Sequence, residues 1–146
     1  MPILNYTTSI TAIKTAGEVQ TRLAKHGALS VSTIYGDGQP IGIAFTVETQ
    51  FGPRDFQLPA NAAGVQATLK RQKVSRSLQT PEQAQRVAWR ILKDWVEAQL
   101  AIIEAGMVTL DEVMLPYMVT ATGLTLTQAY QSSAPMRLAL EGGSHA

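Results

Sequence analysis

The sequence predicts an α+β domain in which a small antiparallel sheet precedes a helical half built on one long amphipathic helix. Three observations predict it. Apolar residues alternate in steps of two along residues 41–50, Gly36-Asp37-Gly38 offers the positive-φ positions of a hairpin turn just before them, and from residue 60 the apolar spacing changes to threes and fours. The expected order is βαβββ over residues 1–58, then helices over 60–131. A single domain therefore covers 1–131, and Pro135, Gly142 and Gly143 mark 132–146 as a loose tail.

Residues 2–8 alternate loosely and read as a first strand. Residues 11–26 carry Ile13, Ala16, Val19, Leu23 and Ala24 at helical spacing, and Gly27 ends them. Residues 29–35 and 41–50 form the hairpin, with Ile41, Ile43, Phe45 and Val47 on one face of the second strand. After a turn at Phe51-Gly52-Pro53-Arg54, residues 55–58 make a short third strand that buries Phe56 and Leu58 and stops at Pro59. Asn61 caps a helix holding Val65 and Leu69. Thr109-Leu-Asp-Glu112 opens a short helix made irregular by Pro116, and residues 125–130 add a last helical turn.

The longest helical signal spans residues 80–107. Thr80 can cap, Pro81 suits the first helical position, Gln83 completes a T-x-x-Q capping box, and Gly106 is the first glycine after the start. Ala84, Ala88, Ile91, Trp95, Ala98 and Ile102 fall on one line, which places Trp95 in the core. Glu82, Arg86, Arg90, Lys93, Glu97 and Glu104 fall on the opposite, solvated line, with Glu82–Arg86, Arg90–Asp94 and Lys93–Glu97 as i,i+4 pairs. Such a helix is roughly 39 Å long, about the diameter of the domain itself. Its apolar girth suits an antiparallel helix-pair contact, so a homo-oligomer through this helix is expected. Trp89 lies about 120° from Trp95, near the polar edge. It is a contact for a partner if exposed, unless the chain's own sheet or the 107–118 segment covers it.

Composition narrows the function. A net charge of +1 excludes a uniformly basic or acidic protein, and the absence of cysteine removes disulfides, thiolate metal sites and a cysteine nucleophile. His26 and His145 sit in no metal-binding frame, so no metal or cofactor is expected. Serine triad, P-loop and dinucleotide motifs are missing too. The carboxylate pairs Asp94/Glu97 and Asp111/Glu112 read as surface and helix-start residues. No apolar run approaches the ~20 residues of a membrane span, and MPILNYTTSI lacks the layout of a signal peptide, so a soluble cytoplasmic protein is expected.

One local charge asymmetry remains. Residues 70–93 hold Lys70, Arg71, Lys73, Arg76, Arg86, Arg90 and Lys93 against Glu82 alone, whereas the later chain is mostly acidic. The first six of these cations are the candidate anion or nucleic-acid contacts, and Arg54 is a lesser candidate for partner contact.

The stretches PILNYTTSI, FQLPANAAGVQATLKRQ and QAQRVAWRILKDWVEAQLAIIEAGMVTLDEVMLPYMV resemble a family of small uncharacterised proteins of phages, prophages and phage-like environmental genomes. The resemblance implies a viral or mobile-element origin within a host cell and brings no catalytic residue with it. The function expected is that of a non-enzymatic phage accessory protein. It would bind nucleic acid, or a host defence complex that handles nucleic acid, through the basic patch. The alternatives are an oligomer that sequesters a nucleotide and a structural or assembly component of a virion.

Overall fold

A computed structural model describes residues 1–141. Helix α1 (Ala12–Lys25) begins where the Thr11 hydroxyl accepts from the Lys14 N–H at 3.2 Å, and it ends before Gly27, whose φ of 96° suits only glycine. It buries Ala12, Ala16, Val19 and Leu23, while Ile13 and Ala24 face outward. Strands β1 (Ala28–Gly36), β2 (Gln39–Thr49) and β3 (Gly52–Pro59) then form an antiparallel sheet in that order. Gly36 pairs with Gln39 across Asp37 and Gly38, both left-handed at φ 51° and 75°, which is the two-residue turn that matches strand twist.

Ile43, Phe45 and Val47 of β2 point to the core beside Phe56 and Leu58 of β3, with the rings of Phe45 and Phe56 stacked at 5.2 Å. Ile41, expected on this face, is largely exposed at the sheet's end. β3 starts three residues earlier than expected, so Gly52, Pro53 and Arg54 belong to the strand and not to the turn.

Residues 2–8 do not form the expected strand, and the sheet part is αβββ. Asn5 is left-handed at φ 64°, and turn bonds link Tyr6 N to Ile3 O and Thr8 N to Asn5 O. A few alternating residues cannot hold a strand against an asparagine that tolerates this conformation. The segment lies along the long helix instead.

Helix α2 (Ala62–Arg71) is capped by Asn61 and seats Leu69 fully in the interior against helix α3 (Pro81–Glu104). Thr80 caps α3, but there is no capping box. Gln83, almost wholly buried, sends its Nε2 to the carbonyls of Tyr6 and Thr8 at 3.0 and 2.9 Å, and its Oε1 accepts from Arg86. It fastens the N-terminal segment to the helix. Helix α4 (Leu110–Met114) runs into a 3-10 turn at Leu115–Tyr117, as Pro116 dictates. A single bridge from Met118 to Phe56 then covers the outer edge of β3, and another from Val119 to Thr125 closes the following turn.

Helix α5 (Leu126–Ser132) opens with a complete Thr125/Gln128 capping box. Part of the expected loose tail is a further helix, α6 (Ala134–Ala139). Ser133 caps it, and Pro135 sits in its first turn, where proline favours a helix. Residues 142–146 of that tail, His145 included, lie outside the described residues. No helix among the described residues is long and apolar enough to cross a membrane.

The long helix is rotated from its expected setting. Trp89, Val96 and Leu100 are buried, with Leu92 and Ile103 packed against the same core, so the sheet-facing line runs at spacings of three and four about 120° from Ile91, Trp95 and Ile102. Trp89 is 0% exposed and its Nε1 donates to the Pro40 carbonyl at 2.9 Å. Trp95 is half-buried, edge-on to Tyr117 at 5.8 Å. Trp95, with Ala84 and Ala88 of the expected line, still packs on the core, but Trp89 lies deeper, covered by the chain's own sheet, and has no surface to offer a partner. Two apolar lines compete on this helix, and spacing alone does not say which meets the sheet. The indole N–H that finds a strand carbonyl does.

Candidate anion-binding surface

Six cations between residues 70 and 90 were expected to act together, and the structure divides them. Lys70 and Arg71 close α2, where positive charge meets the carbonyl end of the helix. Lys73 adopts a left-handed φ of 55° and turns the chain out of the helix, and Arg76 begins a 3-10 turn at Arg76–Leu78. All four are exposed, and among the described residues none of their side chains makes an ion pair. The backbone that carries them is held by glutamines. Gln72 accepts from Ile3 N at 2.8 Å, Gln79 donates to Val74 O at 2.8 Å, and Gln66 donates to Gln79 O at 3.0 Å. Four free cations therefore project from a seven-residue segment whose turns are fixed.

Arg86 and Arg90 do not join them. Arg86 donates to the Gln83 amide oxygen at 2.9 Å. Arg90 meets Glu18 of α1 at 2.9 Å with its side chain 17% exposed, and Lys93, 15% exposed, lies 3.8 Å from Glu18 and 2.8 Å from Glu97. Arg22 of α1 meets the same Glu97 oxygen at 3.2 Å. The middle of the side of α3 expected to be solvated is thus the contact with α1, where Arg90, Lys93 and Glu97 are paired. Of the three expected i,i+4 pairs only Lys93–Glu97 forms. Asp94 accepts instead from Asn5 at 2.9 Å. Sequence reasoning missed Glu18 and Arg22 as the partners. Their own i,i+4 spacing on α1 matches the alternation of Arg90, Lys93 and Glu97, a signal visible only once the two helices are laid side by side.

The Lys93 ammonium that hydrogen-bonds Glu97, with the Lys93 and Arg22 charges behind it, holds that carboxyl below the 4.5 of a free glutamate against the opposing effect of desolvation. A depressed folded value means that the carboxylate's stabilisation is complete above 4.5 and disappears as pH falls through the lower folded value. Acid denaturation should therefore show a component in that window that Glu97→Gln removes. Urea midpoints for wild type and variant should converge as the pH drops. A constant gap between them down to the acid limit would contradict the assignment.

The other residues singled out in the sequence make local contacts. One Arg54 guanidinium nitrogen donates to the adjacent Pro53 carbonyl at 2.9 Å. His26 sits at the α1 terminus as expected, with Nδ1 2.9 Å from the Arg22 carbonyl. Glu112 belongs to the Thr109 cap. No group of three or more metal-ligating side chains occurs among the described residues.

Two clefts meet beside Leu58, Pro59, Asn61 and Tyr117. One, of about 300 Å³, runs between α2 and α3 past Val65, Ile91 and Trp95. The other, of about 470 Å³, is lined by Ile34, Gln57, Thr127 and Gln131. Neither lining contains a carboxylate, histidine, lysine or arginine. Compared with protein-family models, curated proteins and solved structures, the chain matches none. A phage or prophage origin accordingly rests on the sequence resemblance alone.

Proposed function

We propose that the protein works by binding, without chemistry of its own, and that its partner is a nucleic acid whose phosphates meet Lys70, Arg71, Lys73 and Arg76. The observation behind this reading is the sorting of charge. Arg22, Arg90 and Lys93 are all committed to carboxylates of the fold, whereas these four stand exposed and unpaired among the described residues. Complementing the carbonyl end of α2 accounts for Lys70 and Arg71 but not for Lys73 and Arg76, which lie beyond the helix. A phage accessory protein acting on nucleic acid in the host cytoplasm is the setting we propose for it.

A nucleotide-sequestering role is less well supported, because the two clefts beside Tyr117 hold no cation to meet a phosphate. A shallow depression on α1 does hold Lys14, Arg22, Lys25 and Lys93, but Arg22 and Lys93 are bound to Glu97, and Glu18 adds an opposing charge.

The test is binding of labelled duplex DNA by fluorescence anisotropy as salt is varied. Four phosphate contacts give a slope of about −3.6 in log K against log salt, a loss of roughly 10²-fold from 50 to 200 mM. Changing Lys70, Arg71, Lys73 and Arg76 together to alanine should abolish the slope, whereas Arg86→Ala should leave it unchanged. Salt-insensitive binding, or none at the lowest salt, would sink the proposal.

A further inference from the structure

The two edges of the sheet are treated differently. Met118 and Val119 cover the edge of β3, and Val119 N donates to the Asp55 carbonyl at 2.8 Å. The edge of β1 has no such cover. Among the described residues no backbone hydrogen bond leaves Ala28–Gly36 for anything but β2. Natural proteins usually guard an open edge with charge, proline or a very short strand. β1 is nine residues long, ALSVSTIYG, and contains neither a charged residue nor proline. Its register shifts, another common guard, fall near the two ends, between Ala28 and Ser30 and between Ile34 and Tyr35. The middle, Ser30 to Ile34, stays regular.

That arrangement is symmetric about Ser32. The register shifts flank it on both sides, and the two large exposed apolar residues of the strand, Leu29 at 63% and Tyr35 at 57%, each lie three residues from it. Beside the strand runs a stripe of α1. Gln20 donates to Thr33 of β1 at 2.6 Å, which places that side of the helix next to β1. Ile13, Gly17 and Ala24 share that side at helical spacing. All three are exposed, Ile13 at 62%, and a Cβ added at Gly17 would meet nothing within 4 Å.

We propose that β1 pairs edge to edge with β1 of a second copy of this chain, antiparallel about a two-fold axis at Ser32, joining two three-stranded sheets into one of six strands. A second copy fits better than a foreign strand because the edge is complementary to itself. Antiparallel pairing about Ser32 sets Ser30 opposite Ile34 and Val31 opposite Thr33 of the second copy, with no like charges to repel, and brings the exposed Leu29 to the end of the ladder where the second copy's Tyr35 lies. Nine residues at ~3.4 Å each, across the depth of a strand layer and a helix layer of ~10 Å each, give a face of roughly 600 Å². That approaches the ~800 Å² per partner of a standard interface. The contact differs from one made through α3, whose sheet-facing line is already used within the chain.

The experiment is sedimentation velocity and light scattering on the full chain. Wild type should be a dimer at micromolar concentrations. Ser32→Lys places two ammonium groups face to face across the axis and should weaken dimerisation at least about tenfold. Ser32→Asp should do the same, an equimolar mixture of the two should restore the dimer, and Ser32→Thr should leave it intact. Circular dichroism establishes that each variant is folded, a mild demand because Ser32 is exposed. The proposal is overturned by a wild type that stays monomeric up to roughly 100 µM. It is equally overturned if Ser32→Lys remains dimeric, or if Trp95→Ala on α3 dissociates the dimer and the Ser32 variants do not. Nucleic-acid binding is read separately and can fail while the dimer stands.

Discussion

Trp89→Ala is expected to remove about 3–5 kcal/mol of folding stability. The side chain is wholly buried where α3 crosses the sheet, and its Nε1 donates to the carbonyl of Pro40, itself in the interior. Truncation empties the largest buried side-chain volume in the molecule and leaves that strand carbonyl without a donor, so a cavity cost and an unmet polar group add. Against the 5–15 kcal/mol of a typical domain, the loss takes about a fifth of the total or more. Trp89→Phe keeps most of the apolar volume and gives up the hydrogen bond, so it should cost about 1–3 kcal/mol. Urea denaturation followed by circular dichroism measures both. A Trp89→Ala protein within 1 kcal/mol of wild type would contradict the packing.

Glu18→Ala should cost about 2 kcal/mol, far more than an ordinary surface change, which usually stays within about 0.5 kcal/mol. Glu18 is the carboxylate between Arg90 and Lys93, whose side chains are 17% and 15% exposed. Without it the Arg90 guanidinium has no anion in a half-buried contact, while Lys93 keeps Glu97. A fully buried pair broken this way costs about 3–5 kcal/mol, and partial access to water lowers the figure. Adding Arg90→Met to Glu18→Ala should recover part of the loss, because the stranded charge is removed while its stem still packs. If Glu18→Ala instead left stability unchanged, Arg90 would be the free surface cation that its sequence position suggests.

Most elements were legible because each carries its own local chemistry, the exceptions being the strand expected over residues 2–8, which does not form, and α6, which lies in the expected tail. Thr11, Asn61, Thr80, Thr109 and Thr125 all cap the helices they precede, and the Gly-flanked Asp37 makes the hairpin. What was not legible is relational. Gln83 has the spacing of a capping-box residue, yet its amide is drawn to Tyr6 and Thr8, carbonyls that no local pattern places nearby. Arg90 and Asp94 have the spacing of an ion pair, yet each finds its partner on another segment, Glu18 and Asn5. The same competition divides the candidate surface. Charge density along the chain identified six cations, and tertiary pairing leaves Lys70, Arg71, Lys73 and Arg76 as the exposed group.

The tie between Gln83 and the first residues of the chain bears on how the molecule folds. Gln83 binds Tyr6 and Thr8 across 77 and 75 residues, Arg90 reaches back 72 to Glu18, and Trp89 reaches back 49 to Pro40. Every one of these closures waits for α3. On a ribosome, α1 and the three strands emerge first with their apolar faces open, and they gain a lid only when the long helix follows. Contacts of such sequence separation tie nearly the whole chain together, and long-range contacts of this kind slow folding.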